Sequence, residues 1–363
     1  MLSRTAVILS EPMSAEKPVR FVIVGAGAIG LCVGALLGRM SSAVKFVARP
    51  AIAEALKRGV RIKQPAGELT LAADAVTSIG ELTPKSGDII TLTTKSQATE
   101  SAVDDLAAVY DRSQPVFCLQ NGIRNEETAA RRFENVYAGL VLLCAVQLEP
   151  GLITYPEGRE VAVGCYPRGA DDTARYIADE FKRAGFDAAA SAHVMAMKWG
   201  KLVANLNNAT HTITGFWLER GMADADMRRL MLEVREEGLR VLDAAGIAVE
   251  PPPDEPSPIR IRAMTERLRR PPKETDEATT MPEEKRSYAS MWQDLYLGRK
   301  THEGEFLNGE IIALARGLGM STPYNSTLLE VINRMFSEGL KPGILSPAEL
   351  RSLIRRRADG HAG

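Results

Sequence analysis

The distribution of apolar residues changes about halfway along the chain. From residue 19 to about residue 186, short apolar runs alternate with stretches that carry Ala, Leu, Glu and Lys at helical spacing. The runs predict strands at residues 20–24, 43–47, 88–92, 115–118 and 136–141. Strands separated by helices in this way are typical of β-α-β units around a parallel sheet. Two further runs, 151–155 and 160–163, predict a hairpin with its turn at 156–158 that closes the sheet edge.

Beyond about residue 192 the strand signal ends. Helical patterns predict helices at residues 195–215, 224–245, 287–297 and 303–318. A Pro-rich connection at 251–282 separates the second from the third and holds a charged helix candidate at 260–269. The sequence therefore predicts the α/β class, with an N-terminal doubly wound parallel sheet followed by an all-α C-terminal domain.

Length and charge support two ordinary globular domains. The chain has 363 residues, more than one hydrophobic core usually serves. With 45 Lys and Arg against 46 Asp and Glu, no net charge favours nucleic acid or a membrane surface, and no apolar run has the roughly 18 residues that a membrane span needs. Four cysteines without a CxxC pair are interpreted as buried free thiols, with no metal site: Cys32, Cys118, Cys144 and Cys165.

The first 18 residues are interpreted as a disordered leader. Their apolar piece, residues 6–9, is shorter than the core of a signal peptide, which has roughly 7–15 residues. We therefore expect a cytoplasmic protein. The expected limits are 1–18 for the leader, 19–191 for the first domain, 192–345 for the helical domain and 346–363 for a polar C-terminal tail.

The strongest local signal is a glycine-rich turn directly after the first strand, formed by Gly25, Ala26, Gly27, Ala28, Ile29 and Gly30. The first glycine permits a tight turn, the second lets backbone approach a pyrophosphate, and the third lets the helix pack closely on the strand. The helix N-terminus then offers N–H groups and a positive dipole end to phosphates. This context predicts a Rossmann-type dinucleotide site; the alternative is a glycine-rich turn without a ligand.

The residue after the second strand indicates which dinucleotide binds. An NAD site usually has an acidic residue there, which accepts hydrogen bonds from the ribose 2′-OH. This chain has Arg49 instead, and a guanidinium pairs well with a 2′-phosphate. The prediction is NADP(H). The alternative is that Arg49 is a surface residue and the cofactor is NAD or FAD.

Two polar clusters in the helical half are candidates for catalysis. Lys201, Asn205 and Asn208 fall at i, i+4 and i+7, on one face of a predicted helix. An ammonium can protonate a forming alkoxide, and amides can orient an oxygen-rich substrate; the alternative is a surface Lys and a frayed helix end. Ser290 precedes a helix predicted to start at residue 301 or 302, with Glu303 in its first turn. Local helix stabilisation is the alternative role for both.

Taken together, the motifs resemble the ketopantoate reductase (2-dehydropantoate 2-reductase) family over residues 19–329. The likeness rests on five pieces in the same order: GAGAIG at 25–30, TKS at 94–96, LQNG at 119–122, KLVAN at 201–205, and SMWQD at 290–294 leading to Glu303 and Asn308. Many dehydrogenases share the first piece. The LQNG and KLVAN pieces in this order are more specific to the family.

The resemblance implies a role for each matching residue. Residues 25–30 and Arg49 would bind NADP(H), with Lys95 and Asn121 contacting the cofactor from the carboxyl ends of two strands, where open α/β sheets bind ligands. Lys201 would be the general acid. Asn205, Asn208 and Ser290 would bind the substrate, and Glu303 would act near the reaction site.

Four departures from the family pattern fall on the substrate side. Ala209 stands where the family has a second substrate Asn, although Asn208 is its neighbour. The spacing to Glu303 is one residue long, so His302 and Glu305 are alternatives for that role. Ile123 and Arg124 follow the LQNG piece where a second glycine is common, and the 251–282 connection is longer than usual.

The resulting hypothesis is an NADPH-dependent reductase that converts a 2-oxo acid to a 2-hydroxy acid, with Lys201 as the proton donor. One alternative is a related enzyme for another 2-oxo acid or for an oxo acid and an amine. Another is a protein that binds NADP(H) without chemistry. The expected partner is a small 2-oxo acid, with no nucleic acid and no membrane. A homodimer through apolar helix faces is an alternative to a purely intramolecular helical core.

Overall fold

The computed structural model describes residues 19–40, 42–64, 67–271 and 280–360. Its contacts divide the chain into two compact units, one of residues 1–120 and 125–194 and one of residues 121–124 and 195–363. The predicted leader at 1–18 and the middle of the Pro-rich connection, 272–279, lie outside the described residues. The domain limits expected from the sequence stay a prediction.

The first unit is built on a ten-stranded sheet. Its strands are β1 (Arg20–Val24), β2 (Ala43–Val47), β3 (Val60–Gln64), β4 (Gly67–Leu71), β5 (Ala75–Val76), β6 (Asp88–Leu92), β7 (Val116–Cys118), β8 (Val136–Glu149), β9 (Leu152–Cys165) and β10 (Asp187–Ala190). The order is β4-β3-β9-β8-β7-β6-β1-β2-β5, with β10 beside β9. Pairs β3–β4 and β8–β9 are antiparallel and the others are parallel, which confirms the predicted α/β class.

The predicted hairpin with a turn at 156–158 is wrong. Residues 152–165 form one strand, β9, which pairs with β8, and the chain reverses at Gly151 with φ +76°. The register of the β8–β9 pair shifts between Leu142 and Cys144 and twice more before Glu149. Such irregularities accommodate Pro and Gly inside a strand, so the turn-like composition of 156–158 marks bulged pairing rather than a turn.

Five helices accompany the sheet: α1 (Ala28–Arg39), α2 (Pro50–Leu56), α3 (Thr99–Ala107), α4 (Asn125–Ala130) and α5 (Asp172–Arg183). Helix α5 starts where the side chain of Asp171 accepts a hydrogen bond from the backbone N–H of Ala174 (2.8 Å). Its Phe181 is fully buried, with ring centroids 5.8 Å from Phe117 on β7 and 6.4 Å from Phe21 on β1. These edge-to-face contacts fix α5 on the central strands.

The second unit is all-α in its described part. Its helices are α6 (Val194–Asn205), α7 (Asn207–Thr214), α8 (Leu218–Ala223), α9 (Ala225–Ala244), α10 (Ile261–Arg269), α11 (Ser290–Tyr296), α12 (Asn308–Gly317), α13 (Pro323–Glu338) and α14 (Pro347–Gly360). Leu350 and Ile354 of α14 are buried in the core of this unit. The expectation of a polar tail at 346–363 is therefore wrong for residues 347–360, since arginine-rich positions hid an amphipathic pattern.

Two predicted helices differ from those observed. The helix expected at 195–215 is interrupted at Leu206, which separates α6 from α7. The helix expected from residue 301 or 302 begins only at Asn308, because the imidazole Nδ1 of His302 accepts the N–H of Gly304 (3.0 Å) and the chain makes a single turn at 304–306. Glu303 therefore precedes that turn and is not in the first turn of a helix.

The four cysteines differ in their exposure to solvent. Cys32 and Cys118 are buried, Cys165 is partly exposed and Cys144 is exposed, so the interpretation as four buried thiols is wrong for Cys144.

Within residues 19–360, as far as they are described, no helix combines the length and the apolar character that crossing a membrane requires.

Replacing Phe181 with Ala tests the contact between α5 and the sheet. We expect a loss of about 3–5 kcal/mol in the free energy of unfolding, since a buried aromatic ring leaves a cavity between two layers. Urea denaturation followed by near-UV circular dichroism measures the loss. Lys182→Ala is the control, because that neighbouring side chain is exposed. Equal stability of the two variants would contradict this account of the core.

Candidate functional site

The turn after β1 has room for glycine alone at two positions. Gly25 has φ +108°, and a Cβ there would lie 2.6 Å from the backbone N of Thr94. A Cβ on Gly30 would lie 2.2 Å from the carbonyl oxygen of Gly25. The hydroxyl of Thr93 donates to that same carbonyl (2.7 Å), which holds the turn against the end of β6. The strand, the turn and the helix are thus in closest possible contact.

Gly27 lies on the open side of the turn. A Cβ built on Gly27 meets no atom within 4 Å, and the residue is exposed. Gly27 is also the N-cap of α1, so no side chain bonds to the first N–H groups, and the first turn holds no acidic residue. An uncapped helix N-terminus with open space in front of it fits an anionic group such as a pyrophosphate.

Arg49 follows the neighbouring strand at the same sheet edge. The N–H of Gly25 donates to the carbonyl of Val47 at the end of β2 (3.2 Å), and Arg49 comes two residues later. Arg49 is exposed and directly precedes α2, whose first residue is Pro50. The structure therefore brings the guanidinium-bearing residue and the glycine turn to neighbouring strand ends.

A buried amide that the sequence analysis did not single out links the ends of β6 and β7. The Nε2 of Gln120 donates to the hydroxyls of Thr94 (3.0 Å) and Thr99 (2.8 Å). Thr99 in turn donates to Oδ1 of Asn125 at the start of α4 (2.7 Å). Lys95 is the residue after Thr94 and is half-buried, so this network fixes the backbone from which its side chain extends. The LQNG piece carried the signal, although only its Asn was assigned a role.

Residues 121–124 belong with the helical unit. Asn121 is half-buried, and Ile123 packs against the core of that unit. Arg124 forms an ion pair with the buried carboxylate of Glu310 on α12, and its guanidinium lies 5.9 Å from the ring centroid of Phe306. The departure from the family pattern at Arg124 thus has a local explanation: the side chain attaches this segment to α12.

The candidate substrate residues lie on α6, α7 and α11. Lys201 and Asn205 are half-buried on α6, and Asn208 is half-buried on α7. The Nδ2 of Asn208 donates to the hydroxyl of Ser290, the first residue of α11 (3.4 Å). Two residues that are 82 positions apart therefore meet. The structure brings together the amide and the hydroxyl that the sequence analysis had placed in separate clusters.

Ala209 is 1% exposed and lies in the core of the helical unit, so its methyl group does not reach solvent. Asn208, one residue earlier, presents the amide instead.

A buried asparagine of α12, Asn308, contacts the chain at the interruption between α6 and α7. The Nδ2 of Asn308 donates to the carbonyl of Leu206 (3.2 Å) and to Oδ1 of Asn325 (2.9 Å). Asn325 donates its own Nδ2 and backbone N–H to the carboxylate of Glu237 on α9 (both 2.8 Å), and burial raises the pKa of that carboxyl. A side chain that binds a helix carbonyl from outside disturbs the regular ladder at that point. The network thereby connects the interruption between α6 and α7 to three other helices, α9, α12 and α13.

The three candidates for the late carboxylate differ in burial. Glu303 is 7% exposed, whereas Glu305 is exposed and accepts a 3.4 Å hydrogen bond from Asn333. The ring of His302 accepts the N–H of Gly304 and lies 4.5 Å from the ring of Phe336. Of the two acidic candidates, Glu303 has the buried side chain and Glu305 the exposed one.

His211, one turn after Asn208 on α7, is a buried neutral base. Its Nδ1 lies 3.0 Å from the carbonyl of Phe216, to which it can donate only as the Nδ1–H tautomer. Burial lowers the pKa of this imidazole from 6.5 to about 4; the nearby charge of Arg235 also lowers it, while the Phe216 carbonyl and Glu219 raise it. The unfolded chain therefore binds a proton that the folded chain excludes between pH 6.5 and 4.

Replacing His211 with Asn should flatten the acid side of the stability curve. Because the folded pKa lies below the unfolded one, wild-type stability falls as pH falls from about 6.5 to about 4, by up to roughly 3 kcal/mol from this group. Asn can keep the hydrogen bond to Phe216 without titrating. Thermal unfolding measured from pH 4 to 7 tests this, with the exposed His193→Asn as control. An unchanged slope in His211→Asn would show that the imidazole is not buried and neutral.

The sheet order and the glycine turn define a two-unit protein of the Rossmann type, with an all-α second unit. The chain belongs to the ketopantoate reductase PanE/ApbA family, whose model matches residues 21–168 and whose C-terminal model matches residues 193–336. This confirms the family suggested by the motifs, and the family consists of oxidoreductases.

Individual relatives agree with this assignment. A 2-dehydropantoate 2-reductase of Pyrococcus horikoshii is 30% identical over 326 residues, which cover 88% of this chain and 99% of the relative. The crystal structure of a PanE/ApbA family ketopantoate reductase from Ralstonia eutropha has a TM-score of 0.73 at 26% identity, with 88% and 99% covered. A D-mandelate dehydrogenase with NADH and anilino(oxo)acetate has a TM-score of 0.75 at 21% identity, with the same coverage, and shares the fold.

Proposed function

We propose that the protein is a nicotinamide-dependent reductase that converts 2-dehydropantoate to the corresponding 2-hydroxy acid, with NADPH as the preferred cofactor. The observation that carries the proposal is the meeting of Asn208 with Ser290 in the unit that carries Lys201, in a chain of the ketopantoate reductase family. These are the polar side chains that a 2-oxo acid needs for its oxygens. The predicted cytoplasmic location and homodimer stay predictions.

The glycine turn supplies the cofactor site in this proposal. The N–H groups at the start of α1 bind the pyrophosphate, and the open space at Gly27 admits it. Arg49 binds the 2′-phosphate, while Lys95 and Asn121 contact the rest of the cofactor. A reduced nicotinamide bound there supplies the two electrons and the hydrogen that the carbonyl carbon receives.

The helical unit supplies the proton and the substrate contacts. The ammonium of Lys201 donates a proton from Nζ to the oxygen that becomes the hydroxyl, and solvent then restores the proton. Asn205, Asn208 and Ser290 orient the substrate's oxygens, and the buried Glu303 acts beside the reacting groups. A cation next to the developing negative charge lowers the energy of the transition state.

Other 2-oxo acids, or an oxo acid with an amine, are the alternative substrates. A bulkier substrate would need space at Ala209, whose methyl group is buried in the core of the helical unit. A panel of 2-oxo acids, with and without amines, assayed by NADPH oxidation separates these activities. If the protein binds NADPH but no acid in the panel causes NADPH oxidation, the remaining hypothesis is a protein that binds NADP(H) without catalysing a reaction.

Replacing Lys201 with Ala should lower kcat by about 10²–10⁴-fold, since the forming alkoxide loses its proton donor. Binding of NADPH, measured by fluorescence titration, should change little. The exposed Lys341→Ala is the matched control in the same unit and should keep full activity. Full activity of Lys201→Ala would refute the role of this residue.

Replacing Arg49 with Ser tests the choice of cofactor. Loss of a charge-assisted contact to the 2′-phosphate should lower kcat/KM for NADPH roughly 10- to 100-fold and leave that for NADH nearly unchanged. Arg58→Ser, an exposed arginine of the same unit, is the control. Equal use of both cofactors by the wild type, unaffected by Arg49→Ser, would instead assign Arg49 to the surface and NAD to the site.

A further inference from the structure

Arg235 on α9 is a half-buried cation that forms no ion pair within the described part of the chain. Its Nε is out of contact with solvent and forms no hydrogen bond within the described part of the chain, and no ion pair there involves this side chain. Burial lowers the pKa of its guanidinium to about 10. A charge that is partly removed from water normally has a partner, because the lost hydration costs free energy that pairing recovers.

The carboxylates nearest to Arg235 in sequence are engaged elsewhere. Glu233 pairs with Arg351 of α14, and Glu236 pairs with Arg269 of α10. Glu237 accepts hydrogen bonds from α13. The fold therefore uses the acids of α9 to join helices and leaves this arginine without one.

Arg228 shows what a structural arginine on the same helix does. It lies seven residues earlier, on the same stripe of α9. Its guanidinium donates to the carbonyl of Met222 (3.2 Å) and to those of Arg267 and Arg270 (2.5 Å to the latter). Those carbonyls lie at the ends of α8 and α10, so Arg228 caps two helices. Arg235 has no comparable set of acceptors among the described residues.

One hydrogen bond between the helices and one charge interaction place Arg235 near the part of α7 that carries Asn208. The Nδ2 of Asn207 donates to the carbonyl of Met231, one turn before Arg235 on α9 (3.2 Å). The charge of Arg235 lowers the pKa of His211, which lies one turn after Asn207 on α7. The two helices thus run side by side over this stretch, and Asn208 lies within it.

The side chains assigned to the substrate include one cation, Lys201, whose role is to release a proton at the reacting oxygen. Every 2-oxo acid also carries a carboxylate, for which Asn and Ser offer neutral donors only. A guanidinium matches a carboxylate with two parallel N–H groups and keeps its charge throughout. We propose that Arg235 is a specificity-determining residue that binds the carboxylate of the substrate.

This inference rests on the proposed function, and a binding experiment separates the two. Calorimetry on the full-length protein saturated with NADP⁺ compares 2-dehydropantoate with its uncharged lactone, in the wild type and in Arg235→Met. Met keeps the apolar stem and removes the charge. The acid should bind the variant on the order of 10²-fold more weakly, while binding of the lactone stays the same. Arg235→Lys should recover part of the loss, since it restores a charge without the paired donors.

Thermal unfolding without substrate gives a second readout. Arg235→Met should be as stable as the wild type or more stable, because the variant no longer holds an unpaired charge partly out of water. Arg228→Met, the matched control, should lose stability through its three unbonded carbonyls and should bind the acid as the wild type does, once folded.

Three results would overturn the role of Arg235: unchanged affinity of Arg235→Met for the acid, an equal loss for acid and lactone, or a loss of stability like that of Arg228→Met. Absence of acid binding by the wild type would overturn it as well. Wild-type protein that binds the acid through Arg235 but never oxidises NADPH or NADH with it would instead refute the proposed reductase and leave the carboxylate site standing.

Discussion

The close approach of backbone at the end of β1 is the constraint on which the first unit depends. Gly25 and Gly30 lie where any Cβ would enter the backbone of Thr94 or of Gly25 itself, and Thr93 closes the contact with a hydrogen bond. This approach lets α1 start immediately after the strand. The helix N-terminus therefore faces outward at Gly27, at the sheet edge where β2 ends before Arg49. A steric requirement thus determines where an anion can be bound.

The helical unit depends on polar contacts between helices rather than on one close approach. The chain of side chains from Glu237 through Asn325 and Asn308 ends on the carbonyl of Leu206. It joins α9, α12 and α13 to the interruption between α6 and α7. A buried hydrogen-bonded network favours one arrangement of helices more strictly than an apolar core alone, although Oδ1 of Asn308 has no partner among the described residues.

These two constraints explain which features the sequence could predict. The glycine turn is local: strand, turn and helix are adjacent in the chain, and glycine is required for steric reasons that any sequence displays. The meeting of Asn208 with Ser290 and the bond from Asn308 to Leu206 join residues 82 and 102 positions apart, and neither leaves a periodic signal. For the same reason the break at Leu206 was missed, since residues 202–207 look like continuous helix. Strand β4 at the sheet edge and its neighbour β3 were missed because polar or charged residues interrupt their apolar positions.

Two arginines on one stripe of α9 show how far residue type alone can mislead. From the sequence, Arg228 and Arg235 are equivalent long cations on an amphipathic helix. In the structure, the terminal nitrogens of Arg228 bind three backbone carbonyls, although its Nε, like that of Arg235, is buried without a hydrogen bond. Arg235 is half-buried near the neutral His211 without such bonds, so its lost hydration is not offset by bonds within the described part of the fold. A cost that folding does not recover is most simply recovered by a ligand, and an acid substrate has the charge to do so.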